Sequence, residues 1–87
     1  MKIGILGGGQ LARMLALAGY PLGQEFVFFD PVEDACAGQV GRLIVADYDD
    51  DAALDELVAS VDIVTLDFEN VPVETVRKLS SRVPVMP

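Results

Sequence analysis

The chain has 87 residues, 14 acidic and 6 basic, with no histidine and a net charge of −8. That is room for one small domain, since domains commonly run about 100–150 residues, and 52% hydrophobic content excludes disorder. The acidic balance disfavours nucleic acid, and the lack of histidine removes Ser-His-Asp and Cys-His catalysis together with most zinc sites.

Residues 2–6 form a short apolar run stopped by Gly7-Gly8-Gly9, the pattern of a first strand. Leu11, Met14, Leu15 and Ala18 then recur at i, i+3, i+4 and i+7, which predicts a helix with that stripe buried. Gly19 and Pro21 punctuate its end. A second strand is predicted at 26–29, closed by Asp30-Pro31, followed by a weak helical stretch at 35–40 and a third strand at 43–46. Asp50 and Asp51 precede Leu54, Leu57, Val58 and Val61, a second helical stripe with acids at its positive dipole end. A fourth strand at 63–66, a less regular helix carrying Val73, Val76 and Leu79, and a short strand at 83–86 complete the pattern.

Continuous apolar strands linked by helices predict right-handed crossovers and a parallel sheet. The fold class expected is α/β: one Rossmann-like, doubly wound domain of four to five strands over residues 1–87. No apolar run approaches the ~18–20 residues of a membrane span. The first apolar stretch is too short for a signal-peptide core, so a cytoplasmic protein is expected, with neither membrane nor nucleic acid as partner. The domain is half-sized, and a piece of a larger protein is expected.

Three polar clusters fall at the carboxyl ends of strands, where open parallel sheets bind ligands: Gly7-Gly8-Gly9-Gln10, Asp30-Pro31 and Asp67-Phe68-Glu69-Asn70. Gly7, Gly9 and Ala12 fit G-x-G-x-x-A, with Asp30 eighteen residues past Ala12, where it can accept from ribose hydroxyls. One reading is therefore an NAD-binding half-domain of an oxidoreductase; the other is a tight turn that needs glycine for backbone reasons alone. No lysine closes the glycine loop in the manner of a Walker motif. Asp47, Asp49 and Asp51 start like a calcium loop, but Ala52 and Val58 occupy the positions of its glycine and bidentate glutamate. Asp67 and Glu69 alternate, which argues against a paired-carboxylate couple and leaves Glu69 facing the crevice beside Gln10. Cys36 cannot form an internal disulfide and reads as a packing residue.

Taken together, Gly7-Gly8-Gly9-Gln10-Leu11-Ala12-Arg13-Met14-Leu15, Pro21-Leu22-Gly23, Asp30-Pro31, Asp47-Tyr48-Asp49-Asp50 and Phe68-Glu69-Asn70-Val71-Pro72 resemble the 5-(carboxyamino)imidazole ribonucleotide synthases. These are also called ATPase subunits of phosphoribosylaminoimidazole carboxylase, within the ATP-grasp superfamily. The resemblance covers only their N-terminal, pre-ATP-grasp domain, and implies that the ATP-grasp and C-terminal domains are missing here. It implies a ligase of purine biosynthesis that carboxylates 5-aminoimidazole ribonucleotide with ATP, magnesium and bicarbonate, generally as a homodimer. By the same resemblance Gly8, Gly9, Gln10 and Leu11 contact the ribonucleotide at the glycine turn. Glu69 accepts a hydrogen bond from it, and Asn70 and Asp30 are further candidates at the same sheet edge. No catalytic residue and no metal ligand is expected in this chain, and ATP and magnesium are expected to bind outside it. Ala12, Cys36 and Asp67 depart from the family pattern, in which glycine, proline or alanine, and glutamate are usual.

Overall fold

Lys2–Leu6 (β1) occupies the centre of the sheet, because two parallel neighbours cover both of its edges. A computed structural model, which describes residues 1–66 and 71–86, places Glu25–Asp30 (β2) on one side and Ile63–Leu66 (β4) on the other. Arg42–Val45 (β3) flanks β2, and Val85–Met86 (β5) flanks β4, giving the order β3-β2-β1-β4-β5 with all pairs parallel. The connections carry Gln10–Gly19 (α1), Asp51–Ser60 (α2) and Val73–Ser80 (α3). The expected strands are all present, while the helical stretch near 35–40 is a single 3-10 turn, Cys36–Gln39. A second 3-10 turn, Tyr20–Leu22, prolongs α1 through Pro21, and Gly23 ends it at a φ of 84° that favours glycine.

Alternation along the strands divides the core into two layers. Leu6, Val27, Phe29, Ile44 and Val64 meet Leu54 and Leu57 of α2 and Leu79 of α3 on one face. Ile5, Phe26 and Phe28 meet Ala12 and Ala16 of α1 and Ala37 of the 3-10 turn on the other. Phe28 and Phe29 are wholly buried on opposite faces, each contributing roughly 1.5–3 kcal/mol of transfer free energy. Val58 and Val61 pack at the edge of the first layer, half-buried, as the α2 stripe predicts. Asp50 caps α2 by accepting from the Ala53 amide at 3.1 Å.

The helix phase of α1 differs from the expectation. Leu11, Met14 and Leu15 are 65%, 55% and 48% exposed, whereas Ala12, Ala16 and Gly19 face the sheet. The cause is close approach: a Cβ on Gly19 would lie 2.5 Å from the Phe26 ring. A helix this near the sheet accepts only small residues on its inner face, so the larger apolar stripe turns outward. Beside it, Ile3, Leu15, Leu22, Phe26 and Ile63 line an open apolar cleft of about 350 Å³. Val73 is likewise exposed, whereas Leu79 is buried and Val76 packs against the core as the α3 stripe predicts, with Thr75 buried in addition. The Thr75 hydroxyl donates to the Tyr48 carbonyl at 2.7 Å, joining α3 to the loop before α2.

Candidate functional site

The direction of the crossovers reverses on either side of β1: α1 leads to β2, while the chain returns through α2 to β4. In an open parallel sheet this is the point where a crevice forms beyond the strand ends. Leu6 and Leu66, the last residues of β1 and β4, are register partners. The glycine turn therefore starts beside the end of β4, from which the Asp67-Phe68-Glu69-Asn70 run continues. That run, with the expected contacts Glu69 and Asn70, lies outside the described residues. Beyond it, Val71 is buried in the core and Pro72 caps α3.

Gly7 turns the chain out of β1 with a φ of 115°, which a side chain would strain. Gly9 is the N-cap of α1 and its carbonyl accepts the first helical bond, from the Arg13 amide at 3.0 Å. The amides of Gln10, Leu11 and Ala12 have no partner within the helix, as in the first turn of any α-helix, and carry its positive end. The side chains of Gln10 and Leu11 are exposed at this position. Of the candidates named from sequence, Gly8, Gly9, Gln10 and Leu11 are thus brought to one turn at the crevice.

Gly8 is tethered in both directions. Its amide donates to Asp30 Oδ2 at 2.8 Å, and its carbonyl accepts from the Ala37 amide at 2.9 Å. The preceding Gly7 amide donates to the Phe29 carbonyl at 2.7 Å. The other carboxylate oxygen of Asp30, Oδ1, accepts from the Val32 amide at 2.8 Å. Asp30 is only 9% exposed, so the residue expected to meet a ribose hydroxyl has each oxygen engaged by a backbone amide. A Cβ on Gly8 would lie 3.0 Å from Ala35 Cβ and 3.2 Å from Asp30 Cβ, which makes the turn a close-packed unit with the end of β2.

Cys36 is half-buried, as a packing residue should be, and its thiol donates to Gln10 Oε1 at 3.5 Å. The nearest basic residue in the chain, Arg13, is half-buried one turn into α1, and its Nε has no hydrogen-bond partner among the described residues. The supporting roles of Val32, Ala37 and Cys36 escaped the sequence reading. Only the first had a signal: an aspartate accepting from the amide two residues on is the turn that Asp-Pro dipeptides favour. As it stands the turn offers amide donors and an exposed carboxamide to a small polar ligand.

The chain matches the family model described as the ribonucleotide synthetase preATP-grasp domain over residues 1–87. It is 60% identical over 87 residues to the N5-carboxyaminoimidazole ribonucleotide synthase of Pseudomonas aeruginosa, covering all of this chain and 24% of that protein. A synthase of the same name from Brucella melitensis is 50% identical over 86 residues, again with 24% of its length covered. Among solved structures, the N5-carboxyaminoimidazole ribonucleotide synthetase of Thermus thermophilus superposes with a TM-score of 0.94 at 59% identity, over 98% of this chain and 24% of that one. The Aspergillus clavatus synthase in complex with ADP and 5-aminoimidazole ribonucleotide has a TM-score of 0.82 at 29% identity, over 99% and 23%. The chain spans about a quarter of the length of these relatives.

Proposed function

Because the chain belongs to the ribonucleotide synthetase preATP-grasp family, we propose that it is the substrate-binding N-terminal domain of an ATP-dependent ligase of purine biosynthesis. The reaction is carboxylation of 5-aminoimidazole ribonucleotide. ATP and bicarbonate give ADP and carboxyphosphate; the exocyclic amine then takes up the carboxyl carbon, and phosphate leaves. Gly8, Gly9, Gln10 and Leu11 form the ribonucleotide seat at the β1 turn, and Glu69 and Asn70 complete it from the end of β4. ATP and magnesium bind in an ATP-grasp part outside these 87 residues. The longer protein is a cytoplasmic homodimer, and this domain alone is inactive.

The observation that carries the reading is the glycine turn at the β1/β4 switch point, in a chain 60% identical to a synthase. The geometry of Asp30 weighs against the dinucleotide alternative. A dinucleotide site needs the turn amides for a pyrophosphate and the strand-end acid for a ribose. Here the Gly8 amide and both carboxylate oxygens of Asp30 are already committed to bonds within the protein, one to the other and the second oxygen to the Val32 amide.

The test is kinetic, with this domain joined to the ATP-grasp and C-terminal parts of the Pseudomonas aeruginosa synthase. Gln10→Ala and Glu69→Ala should each raise KM for aminoimidazole ribonucleotide about tenfold, the loss of ~1.4 kcal/mol of binding. KM for ATP should stay the same. Unchanged KM for the ribonucleotide in both variants would remove the site assignment.

A further inference from the structure

Asp30 is 22 residues from Gly8 in sequence, yet it forms one side of the turn that opens α1. The two peptide groups flanking Gly8 are each held, the Gly7–Gly8 one by Asp30 at its amide and the Gly8–Gly9 one by Ala37 at its carbonyl, and Val32 holds the second carboxylate oxygen. The packing leaves little freedom, since Asp30 Cβ and Ala35 Cβ stand 3.2 Å and 3.0 Å from where a Gly8 Cβ would be. The acid is 9% exposed and holds the turn from behind.

We propose that Asp30 is a positioning residue. Its carboxylate fixes the Gly7–Gly8 peptide plane, as Ala37 fixes the next one, and so helps set the direction in which the amides of Gln10 and Leu11 emerge, without touching the ligand itself. This rests on the reading of the turn as the ribonucleotide seat. Only a carboxylate fits the two bonds together: asparagine has the same shape, but its NH2 would face one of the two amides that now donate. Bonds from an amide to an ionised acceptor are the stronger kind, so the turn loses a charge-assisted tether when the charge goes.

The test uses NMR on the 87-residue chain. In the wild type, scalar coupling across the hydrogen bond between Gly8 nitrogen and the Asp30 carboxyl carbon should be measurable. In Asp30→Asn the sheet amides should keep their positions while those of residues 8–11 move. Exchange of the Gly8 amide should rise about tenfold or more, the scale expected for loss of a hydrogen bond to a charged group. Affinity for aminoimidazole ribonucleotide should fall about tenfold with it. Affinity lost with Gly8 exchange unchanged would make Asp30 a direct contact and overturn the proposal, as would both quantities unchanged. If Asp30→Asn does not fold, absence of the coupling in the wild type overturns the proposal and its presence supports it. A wild-type chain that binds no ribonucleotide defeats the functional reading instead, while the coupling and the Gly8 exchange still decide the tether.

Discussion

Replacing Gly8 with alanine adds one methyl group at the most constrained point of the candidate site. The new carbon would sit 3.0 Å from Ala35 Cβ, 3.2 Å from Asp30 Cβ and 3.4 Å from Leu43 Cδ1. The first two neighbours are Cβ atoms, which no rotamer change can move, so the backbone must give way at the turn or before the 3-10 turn. Overpacking of this kind costs typically 1–3 kcal/mol. At about 2 kcal/mol, and ~4–8 °C per kcal/mol for a domain of this size, the melting temperature should fall by roughly 8–16 °C. Gly38→Ala is the control, because its Cβ would meet only the Leu43 side chain, nearest at 3.1 Å, and that side chain can rotate. Thermal melts followed by circular dichroism would compare the two with the wild type. A Gly8→Ala melt within about 2 °C of wild type, or one equal to Gly38→Ala, would refute the close packing of turn, β2 end and 3-10 turn.

The phase of α1 gives a paired prediction. Met14→Ala on the exposed face should change stability by no more than about 0.5 kcal/mol. Ala16→Leu, at a fully buried position, should cost about 1–3 kcal/mol; urea melts that reverse this order would reinstate the Leu11, Met14, Leu15 stripe as the buried one. Lys78 donates to Asp51 at 2.9 Å, and this hydrogen bond, then the charge of Asp51, holds its pKa above the ordinary lysine value of 10.5. A raised folded-state value means that the contribution is fully present below 10.5 and is lost as pH rises through the folded value. The small ion-pair part of the stability difference between wild type and Lys78→Met should therefore be constant through neutral pH, be lost as pH rises into the alkaline range, and shrink with added salt. A difference that varies between pH 6 and 8 would contradict the assignment.

The strands were legible because each is a continuous apolar run bounded by glycine, proline or acids, and β1 and β2 are largely buried on both faces. The position of the glycine turn at the carboxyl end of a strand was legible for the same reason, whereas the strand order that puts it at the switch point emerges only in the structure. The orientation of α1 was not, because its sequence carries two apolar stripes. Periodicity selects the bulkier one, whereas the distance to the sheet selects Ala12, Ala16 and Gly19. The glycine pattern held a clue: its last small residue, Ala12, marks the position where helix and strand pack closely, and the phase from Ala12 leads to Ala16 and Gly19. The stretch after Asp30 has too few apolar residues to commit to an α-helix, and it closes as one 3-10 turn whose Ala37 is buried under the glycine turn. The tether from Asp30 to Gly8 joins residues far apart in sequence and follows from tertiary packing, which no local pattern encodes.

The central claim is that the glycine turn seats the aminoimidazole ribonucleotide. It is tested most directly by titrating the labelled 87-residue chain with that ribonucleotide and, separately, with NAD, following backbone amide shifts. The account predicts saturable shifts centred on Gly8, Gly9, Gln10, Leu11 and Glu69 with the ribonucleotide, and none of comparable size with NAD. Shifts at the glycine turn and Asp30 with NAD alone would contradict it and reinstate the dinucleotide reading.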